Sequence, residues 1–225
     1  MRRQAPGYGR DQFVELGRVV RCLTGRDATR QEQQRFKRYL DLLLVWNRVH
    51  RMTGLASPTE IIRELFQDSL LFLPLLPKGP LALVDIGAGA GIPGVPLRIV
   101  RPEIALTLVE SRRKPVSFLA SLKRELGLSD MEVLEGRAEV LTVEVQRLVG
   151  SFDVVVSRSV GSLPELIPTA MEYLKNGGVF IASGPPLRKP MPVVPEGFEA
   201  RWETVSVGEA ARDRTFLLVS KEEVA

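Results

Sequence analysis

Short apolar runs alternate with segments of helical periodicity from residue 81 to residue 183. The runs cover 81–87, 105–111, 131–136, 152–158 and 177–183. Between them, segments such as 114–126 and 163–174 repeat apolar residues at the spacing of an amphipathic helix. This alternation is typical of βαβ units, in which helices cover a sheet of parallel strands. The pattern therefore predicts an α/β fold with a mostly parallel, twisted sheet and helices on both faces.

The regular alternation stops after residue 183. Five prolines between residues 185 and 195 exclude a regular helix there, so we predict a rigid loop. Two further strands are predicted near 200–207 and 214–221, with Asp213 in the turn between them.

The first 80 residues have a different, helical pattern. Apolar residues in 31–50 recur at helical intervals and predict an amphipathic helix. A second helix is predicted from Ser57, because Pro58 suits a first helical turn and Glu60 stands where a capping box needs an acid. Prolines and a glycine at 77–80 indicate a turn. We predict a helical extension over residues 1–80 and a core domain over residues 81–225.

The positive charge of the chain is concentrated in this extension. Residues 1–51 contain twelve Arg and Lys against five Asp and Glu, a net of +7, which leaves −3 for the rest of a chain of net charge +4. A basic segment beside a nearly neutral body attracts polyanions, since Arg and Lys replace the counterions of phosphates. The alternative interpretation is a solvated, charged helix face.

Composition excludes several classes of protein. Cys22 is the only cysteine, so an internal disulfide or a zinc site built from several cysteines is excluded, and a reducing cytoplasm is expected. His50, the only histidine, has no neighbouring ligand set, and no metal is expected. The apolar run 70–76 is interrupted by Pro74, so we expect neither a membrane span nor a signal peptide.

A glycine-rich segment, VDIGAGAGIPG, joins the first predicted strand to the helix after it. Glycines let the backbone turn tightly and approach a ligand closely. Gly89, Gly91 and Gly94 match the G-x-G-x-x-G pattern of nicotinamide enzymes, and Glu110 ends the second strand where an acid holds ribose hydroxyls. A nicotinamide oxidoreductase therefore stays open as an alternative at this point.

Two further residues of this segment favour S-adenosylmethionine. Gly87 lies directly at the strand end, so that glycines alternate along the loop, and Asp85 precedes it by two residues. A carboxylate there accepts a hydrogen bond from the methionine ammonium, directly or through water, whereas it repels a pyrophosphate.

The chain as a whole resembles the glucose-inhibited division protein B family, bacterial methyltransferases that modify guanine N7 in small-subunit (16S) ribosomal RNA. The resemblance extends along roughly the full length of the chain. It is carried by Trp46-Asn47, Thr53, Asp68-Ser69-Leu70, the loop from Asp85 to Gly94, Arg101-Pro102, Glu110-Ser111, Arg113-Lys114, Gly136-Arg137-Ala138-Glu139, Ser157-Arg158, Lys175 and Gly177-Gly178.

The resemblance implies a Rossmann-like class I methyltransferase that uses S-adenosyl-L-methionine and acts on 16S ribosomal RNA or the 30S subunit. It implies cofactor contacts from Gly87, Ile92, Ala138, Glu139 and Arg158. With the residues selected above, the predicted cofactor site comprises Asp85, Gly87, Gly89, Gly91, Ile92, Glu110, Ala138, Glu139 and Arg158. The alternatives are a structural ion pair for Arg158, a helix-start acid for Glu139 and an exposed strand end for Glu110.

The implied chemistry needs no general base, because guanine N7 carries a lone pair that attacks the sulfonium methyl without first losing a proton. We therefore predict no catalytic acid or base. The chain departs from the family pattern at Leu65, where a histidine is usual, and at Ser159 and Ser183. A methyltransferase with another RNA or a small-molecule acceptor, and a non-catalytic cofactor-binding protein, remain as alternatives.

Overall fold

The computed structural model describes residues 10–158, 162–183, 190–207 and 213–221. Its centre is a seven-stranded sheet in the order β3-β2-β1-β4-β5-β7-β6. The first five strands run parallel, and β7 is antiparallel to both β5 and β6. The strands are β1 (Leu81–Ile86), β2 (Ile104–Glu110), β3 (Glu132–Glu135), β4 (Phe152–Ser157), β5 (Leu174–Ser183), β6 (Phe198–Val205) and β7 (Arg214–Lys221).

The described helices precede the sheet or connect its strands. They are α1 (Arg10–Thr24), α2 (Arg30–His50), α3 (Pro58–Ile61), α4 (Asp68–Leu70), α5 (Gly94–Val100), α6 (Arg113–Leu126), α7 (Ala138–Glu144) and α8 (Leu163–Tyr173). A π-helical segment, Ile62–Gln67, joins α3 to α4, and short 3₁₀ turns cover Leu73–Leu75 and Gln146–Leu148.

Two hydrophobic clusters lie on opposite faces of the sheet. The larger is formed by α1 to α6 with one face of the strands, and the smaller by α7 and α8 with the other face. Along β1 the side chains alternate between them, with Leu83 in the larger cluster and Val84 and Ile86 in the smaller. Helices thus cover both faces, and the predicted α/β fold class is confirmed.

Residues of the N-terminal segment are part of the larger cluster. Leu16 of α1, Phe36 of α2 and Leu70 of α4 are buried in the same cluster as Leu83 of β1. Removing this segment would expose an apolar face of the sheet to water. The role of the basic extension is therefore better tested by substitution than by truncation. The division of the chain into an extension and a core domain at residue 80 stays a prediction.

The N-terminal caps differ from those predicted. Ser57 precedes α3, but its side chain makes no capping hydrogen bond, so the predicted capping box there is wrong; nothing in the structure explains why. A capping box forms instead at α2, where Thr29 accepts from the Glu32 N–H at 3.2 Å and Glu32 accepts from the Thr29 N–H at 2.7 Å. Helix α1 was not predicted, although Phe13, Leu16 and Val20 repeat at helical spacing.

Part of the predicted proline-rich loop lies outside the described residues, namely 184–189, as does Ser159. Residues 190–195 have no regular secondary structure. The two predicted final strands are confirmed as β6 and β7, and they pair antiparallel along their whole length.

Gly94 offers a stability test of the packing between β1 and α5. A Cβ there would lie 2.9 Å from Asp85 Oδ2 and 3.0 Å from Leu106 Cδ1 and Leu108 Cδ2. We expect Gly94→Ala to lower the free energy of unfolding, measured by urea denaturation, by about 1–3 kcal/mol, since buried atoms must shift. At Gly17 in α1 a Cβ would have no atom within 4 Å, so Gly17→Ala should raise stability by about 0.5–1 kcal/mol. Equal stability of Gly94→Ala and the wild type would contradict this packing.

Candidate active site

The loops that follow β1, β2 and β3 meet the start of α8 around a cleft of about 420 Å³. The cleft lies at the carboxyl-terminal edge of the parallel strands. From β1 the chain continues to β2 on one side, whereas β4 lies on the other side of β1, so the strand order reverses here. Open α/β sheets bind ligands where the strand order reverses. The cleft brings together Gly87, Ala138 and Glu139 of the predicted site. It is lined by Ile86, Gly87, Val109, Ser111, Gly136, Arg137, Ala138, Glu139, Ser162, Glu165, Leu166 and Thr169.

The glycines of the loop after β1 are required for two different reasons. Gly89 has φ +54°, but a Cβ there would meet its nearest neighbour only at 3.8 Å, so backbone conformation alone selects glycine. Gly91 has φ +85°, and a Cβ would lie 2.8 Å from Val95 and 3.1 Å from Leu119 and from the Tyr39 hydroxyl. Ile92, the next residue, is buried in the larger core cluster. One side of the loop is therefore packed against protein, while Gly89 lies on the less crowded side.

The carboxyl group of Asp85 is fully buried beneath this loop. Its Oδ2 accepts a hydrogen bond of 2.8 Å from the Gly94 N–H, and its Oδ1 has no hydrogen-bond partner among the described residues. Burial raises the pKa of Asp85 to about 7, against the opposing effect of the Gly94 hydrogen bond. In the geometry described, Asp85 fixes the start of α5.

The Glu110 carboxylate joins the glycine loop to the end of β2. It accepts hydrogen bonds from the Gly89 N–H at 2.8 Å, from the Arg112 N–H at 2.9 Å and from Arg112 Nε at 3.0 Å. Burial favours the neutral acid, but these hydrogen bonds and the Arg112 charge together lower the pKa of Glu110. Glu110 is 3% exposed, so the alternative of an exposed strand end is wrong.

Ala138 and Glu139 begin α7 at the mouth of the cleft. Ala138 is buried, and its carbonyl accepts a hydrogen bond of 2.9 Å from the Tyr173 hydroxyl. Glu139 is half exposed and forms an ion pair of 2.5 Å with Arg137. Its own backbone N–H and Arg137 lower the pKa of Glu139, so a carboxylate stands at the opening of the cleft.

Arg158 follows β4, as predicted, and is largely buried. Its Nη2 lies 3.2 Å from Asp68 Oδ2 and donates a hydrogen bond of 2.6 Å to the Glu64 carbonyl oxygen. The structure therefore contains the ion pair that stood as the alternative for this residue. Its cofactor contact stays a prediction.

Sequence reasoning did not identify two residues that hold the N-terminal helices at this edge. Tyr39 of α2 is fully buried, and its hydroxyl donates a hydrogen bond to the Ala90 carbonyl of the glycine loop. Arg214 of β7 donates to Asp68 from Nε at 2.8 Å and also from Nη2. Helical periodicity places Tyr39 on the apolar face of α2, but it does not indicate the hydrogen bond to the glycine loop. The Arg214 contact with Asp68 joins residues 146 positions apart, so a local sequence pattern does not predict it.

The fold and the cleft define a Rossmann-like α/β protein with a ligand site at the carboxyl ends of its parallel strands. The chain belongs to the GidB family, described as rRNA small subunit methyltransferase G, which matches residues 32–184. The family recognised in the sequence, and with it the methyltransferase class, is confirmed.

Individual relatives support this membership. The chain is 38% identical over 168 residues to "Ribosomal RNA small subunit methyltransferase G" of Desulfitobacterium hafniense (strain Y51), covering 75% of this chain and 69% of that protein. It is 41% identical over 149 residues to the protein of the same name from Syntrophus aciditrophicus (strain SB), covering 66% and 61%. A crystal structure of a SAM dependent methyltransferase from Aquifex aeolicus matches with a TM-score of 0.53 at 15% identity, over 75% of this chain and 95% of that one, which shows the fold.

None of the described helices is long and apolar enough to cross a membrane.

The buried carboxyl of Asp85 predicts a specific dependence of stability on pH. The folded protein keeps this proton up to a pKa of about 7, whereas an unfolded chain releases it above about 3.9. Folding therefore takes up a proton between these values, and stability falls as pH rises by about 1.4 kcal/mol per unit until it levels off above the folded pKa. Asp85→Asn lacks this dependence.

The measurement is urea denaturation of the wild type and Asp85→Asn at pH 5, 6, 7 and 8. We expect the difference in unfolding free energy, wild type minus variant, to fall between pH 5 and 7 and to change little above pH 7.5. A difference that is constant from pH 5 to 8 would show that Asp85 is charged throughout.

Proposed function

We propose that this protein transfers a methyl group from S-adenosyl-L-methionine to N7 of a guanine in the 16S ribosomal RNA of the small subunit. The observation that carries the proposal is the cleft at the carboxyl-terminal strand edge in a chain that belongs to the rRNA small subunit methyltransferase G family. Because the chain belongs to this family, only the glycine spacing of the loop after β1 still supports the alternative of a nicotinamide oxidoreductase.

The residues around the cleft fit the parts of S-adenosylmethionine. Ile86, Val109 and Leu166 offer apolar walls for the adenine ring. The Glu139 carboxylate at the mouth can accept hydrogen bonds from ribose hydroxyls, and Glu110 keeps lone pairs for the same purpose while it holds Gly89. Gly87, with φ +74°, lets the backbone approach the ligand. When bound, the cofactor supplies an electrophilic methyl group on sulfur.

The remaining predicted site residues act through the shape of the loop. Asp85 fixes Gly94, and Gly91 and Ile92 pack the inner side of the loop against the core. Ala138 starts α7 at the cleft wall. Arg158 contributes a guanidinium next to the same edge. These residues position the cofactor, and the N7 lone pair of guanine needs no protein group to remove a proton.

Several arginines in the described part of the extension, in α1 and the turn after it, are paired with neighbouring acids. The ion pairs there are Arg18 with Glu15 at 2.9 Å, Arg21 with Asp27 at 3.3 Å and Arg26 with Glu32 at 2.5 Å. An arginine that is paired within the protein contributes less to phosphate binding, because a phosphate must compete with the acidic side chain for the guanidinium group.

Unpaired charge lies at the other end of α2. This helix packs antiparallel to α6, because Arg35 donates to the Leu126 carbonyl while Trp46 contacts the Phe118 ring at 5.7 Å. The end of α2 and the start of α6 therefore share the carboxyl-terminal side of the sheet. Exposed Arg48, Arg51, Arg113 and Lys114 lie there, without an ion-pair partner among the described residues, and we call them the basic surface.

The basic surface supports an RNA substrate, since it places uncompensated cations on the edge that holds the cleft. A strand bound through its phosphates at this surface would lie beside the site where its base must meet the methyl group. We infer that phosphate contact depends on this surface more than on the paired arginines of α1.

The direct test of the proposed function is transfer of labelled methyl groups from S-adenosylmethionine to 30S subunits and to free 16S RNA, both taken from cells that lack the modification. We expect incorporation into guanine, located at N7 by its sensitivity to cleavage with borohydride and aniline, and none with subunits that already carry the methyl group. Calorimetry should detect binding of S-adenosylhomocysteine and none of NAD. Incorporation only into another RNA or a small molecule would contradict the proposed substrate.

Substitution of the basic surface tests its role in RNA binding. We expect Arg48→Gln with Arg113→Gln to weaken binding of unmodified 16S RNA and to reduce the slope of log K against log salt by about 1–2, since two phosphate contacts are lost. The control, Arg18→Gln with Arg21→Gln, removes the same formal charge from paired residues and should change both quantities less. Equal effects of the two double variants would mean that net charge alone attracts the RNA.

The pH dependence of the rate tests the acceptor atom. At saturating S-adenosylmethionine and RNA, the single-turnover rate should show no ionisation of an essential general base between about pH 6.5 and 9, because N7 carries no proton to remove. A rate that rises tenfold per pH unit through this range, with the methyl-transfer step shown to be limiting, would favour an acceptor that must first lose a proton.

A further inference from the structure

Three consecutive cations stand between the end of β2 and the first turn of α6, and one of them differs from the other two. Arg113 and Lys114 belong to the basic surface and have no ion-pair partner among the described residues. Arg112, directly before them, is paired, since its Nε lies 3.0 Å from Oε1 of Glu110, the last residue of β2. The charge of Arg112 is therefore balanced by a carboxylate of the predicted cofactor site.

The Arg112 guanidinium lies between the Glu110 carboxylate and solvent. The side chain of Arg112 is 70% exposed, whereas that of Glu110 is 4% exposed. Arg112 also lies against the glycine loop, since a Cβ placed on Gly89 would be 3.8 Å from Arg112 Nη2 and 4.0 Å from Glu110 Oε2. A ligand that binds along the glycine loop and reaches Glu110 therefore meets this guanidinium.

Most of the hydrogen-bonding capacity of Glu110 is already used within the protein. Its Oε2 accepts from the Gly89 N–H at 2.8 Å, and its Oε1 accepts from the Arg112 N–H at 2.9 Å and from Arg112 Nε at 3.0 Å. A carboxylate has about four lone-pair sites, so about one remains. The two neighbouring hydroxyls of a ribose can donate two hydrogen bonds. The second of these needs a site that one of the three present donors occupies.

Of these three donors, the Arg112 side chain is the one that can leave without a movement of the backbone. The other two are main-chain N–H groups, one in the glycine loop and one directly before α6. An ion pair whose cation is open to solvent contributes little to stability, so its loss costs little. A phosphate offers the guanidinium an equivalent charge-assisted partner.

We propose that Arg112 couples the binding of the two substrates. Ribose hydroxyls of the cofactor displace its guanidinium from Glu110, and the released guanidinium binds a phosphate of the RNA strand beside Arg113 and Lys114. This inference rests on the proposed function for the ribose contact of Glu110 and for the RNA substrate. The exchange leaves no charge without a partner, because Glu110 gains hydroxyl donors and Arg112 gains a phosphate. Bound RNA likewise removes Arg112 from Glu110, so the coupling is positive in both directions.

The test measures whether each ligand strengthens the binding of the other to the full-length protein. Anisotropy gives the dissociation constant of a fluorescein-labelled single-stranded oligoribonucleotide with and without saturating S-adenosylhomocysteine, and calorimetry gives that of S-adenosylhomocysteine with and without the RNA. For the wild type, we expect each ligand to lower the dissociation constant of the other by the same factor, about two- to fivefold, the range for an exposed ion pair. S-adenosylhomocysteine should also steepen the slope of log K for RNA against log salt by about 0.7, the value for one phosphate contact of a single strand.

Substitution of Arg112 removes the exchanging group. Without RNA, Arg112→Gln should bind S-adenosylhomocysteine about two- to fivefold more tightly than the wild type, because the ribose no longer competes with a guanidinium for Glu110. The affinity and the salt slope of this variant for RNA should not depend on S-adenosylhomocysteine. Arg112→Lys keeps the charge without the guanidinium fork and should retain part of the coupling.

The control is Arg147→Gln, which removes the same charge from an arginine with a similar ion pair. The Arg147 side chain is 59% exposed and pairs with Glu132, the first residue of β3, at the opposite end of that strand from the cleft. A loss of RNA affinity that follows net charge alone therefore appears in both variants. Arg147→Gln should keep the wild-type coupling and the wild-type affinity for S-adenosylhomocysteine. Thermal melting establishes that each variant is folded.

The binding data decide the inference separately from the proposed function. RNA affinity that does not depend on S-adenosylhomocysteine in the wild type overturns it, and so does wild-type coupling in Arg112→Gln. Weaker binding of S-adenosylhomocysteine by Arg112→Gln without RNA also overturns it, since Arg112 would then hold the cofactor itself. A wild type that shows the coupling but does not methylate small-subunit RNA would disprove the proposed function and leave the inference standing. A wild type that does not bind S-adenosylhomocysteine overturns both.

Discussion

The hydrogen bond from the Gly94 N–H to the buried carboxyl of Asp85 is the constraint on which the site depends. It fixes the turn from β1 into α5, and the absence of a side chain at Gly94 allows the helix to approach the strand. With both ends of the loop fixed, Gly87 faces the cleft while Gly91 packs inward against Tyr39. The cost is a carboxyl group buried with one oxygen unpaired among the described residues, and burial makes its charged form unfavourable.

The sequence predicted what local patterns encode. Apolar runs buried on both faces identified the strands of the parallel sheet, and glycine spacing with Asp85 identified the loop at the edge. The loop and the cleft entrance at Ala138 and Glu139 meet in space because parallel strands end on the same side. This part of the site follows from topology once the strand order is known.

Contacts between distant segments were not predictable in the same way. Nothing near Asp68 in the sequence indicates that its partners are Arg158 and Arg214, because the pairing depends on how the N-terminal helices pack across the sheet. Capping shows a similar limit at short range. Ser57 has the right residue type and spacing but makes no capping bond, whereas Thr29 and Glu32 form the reciprocal pair, so residue type and spacing alone do not decide whether a capping box forms.

The antiparallel packing of α2 on α6 has an energetic consequence for the free protein. It brings Arg48 and Arg51 to the same side as Arg113 and Lys114, so like charges repel across two helices that the core holds together. Salt weakens this repulsion, and an RNA strand bound as proposed above would weaken it further. The free protein should therefore gain stability when salt is added, although its RNA affinity would fall under the same conditions.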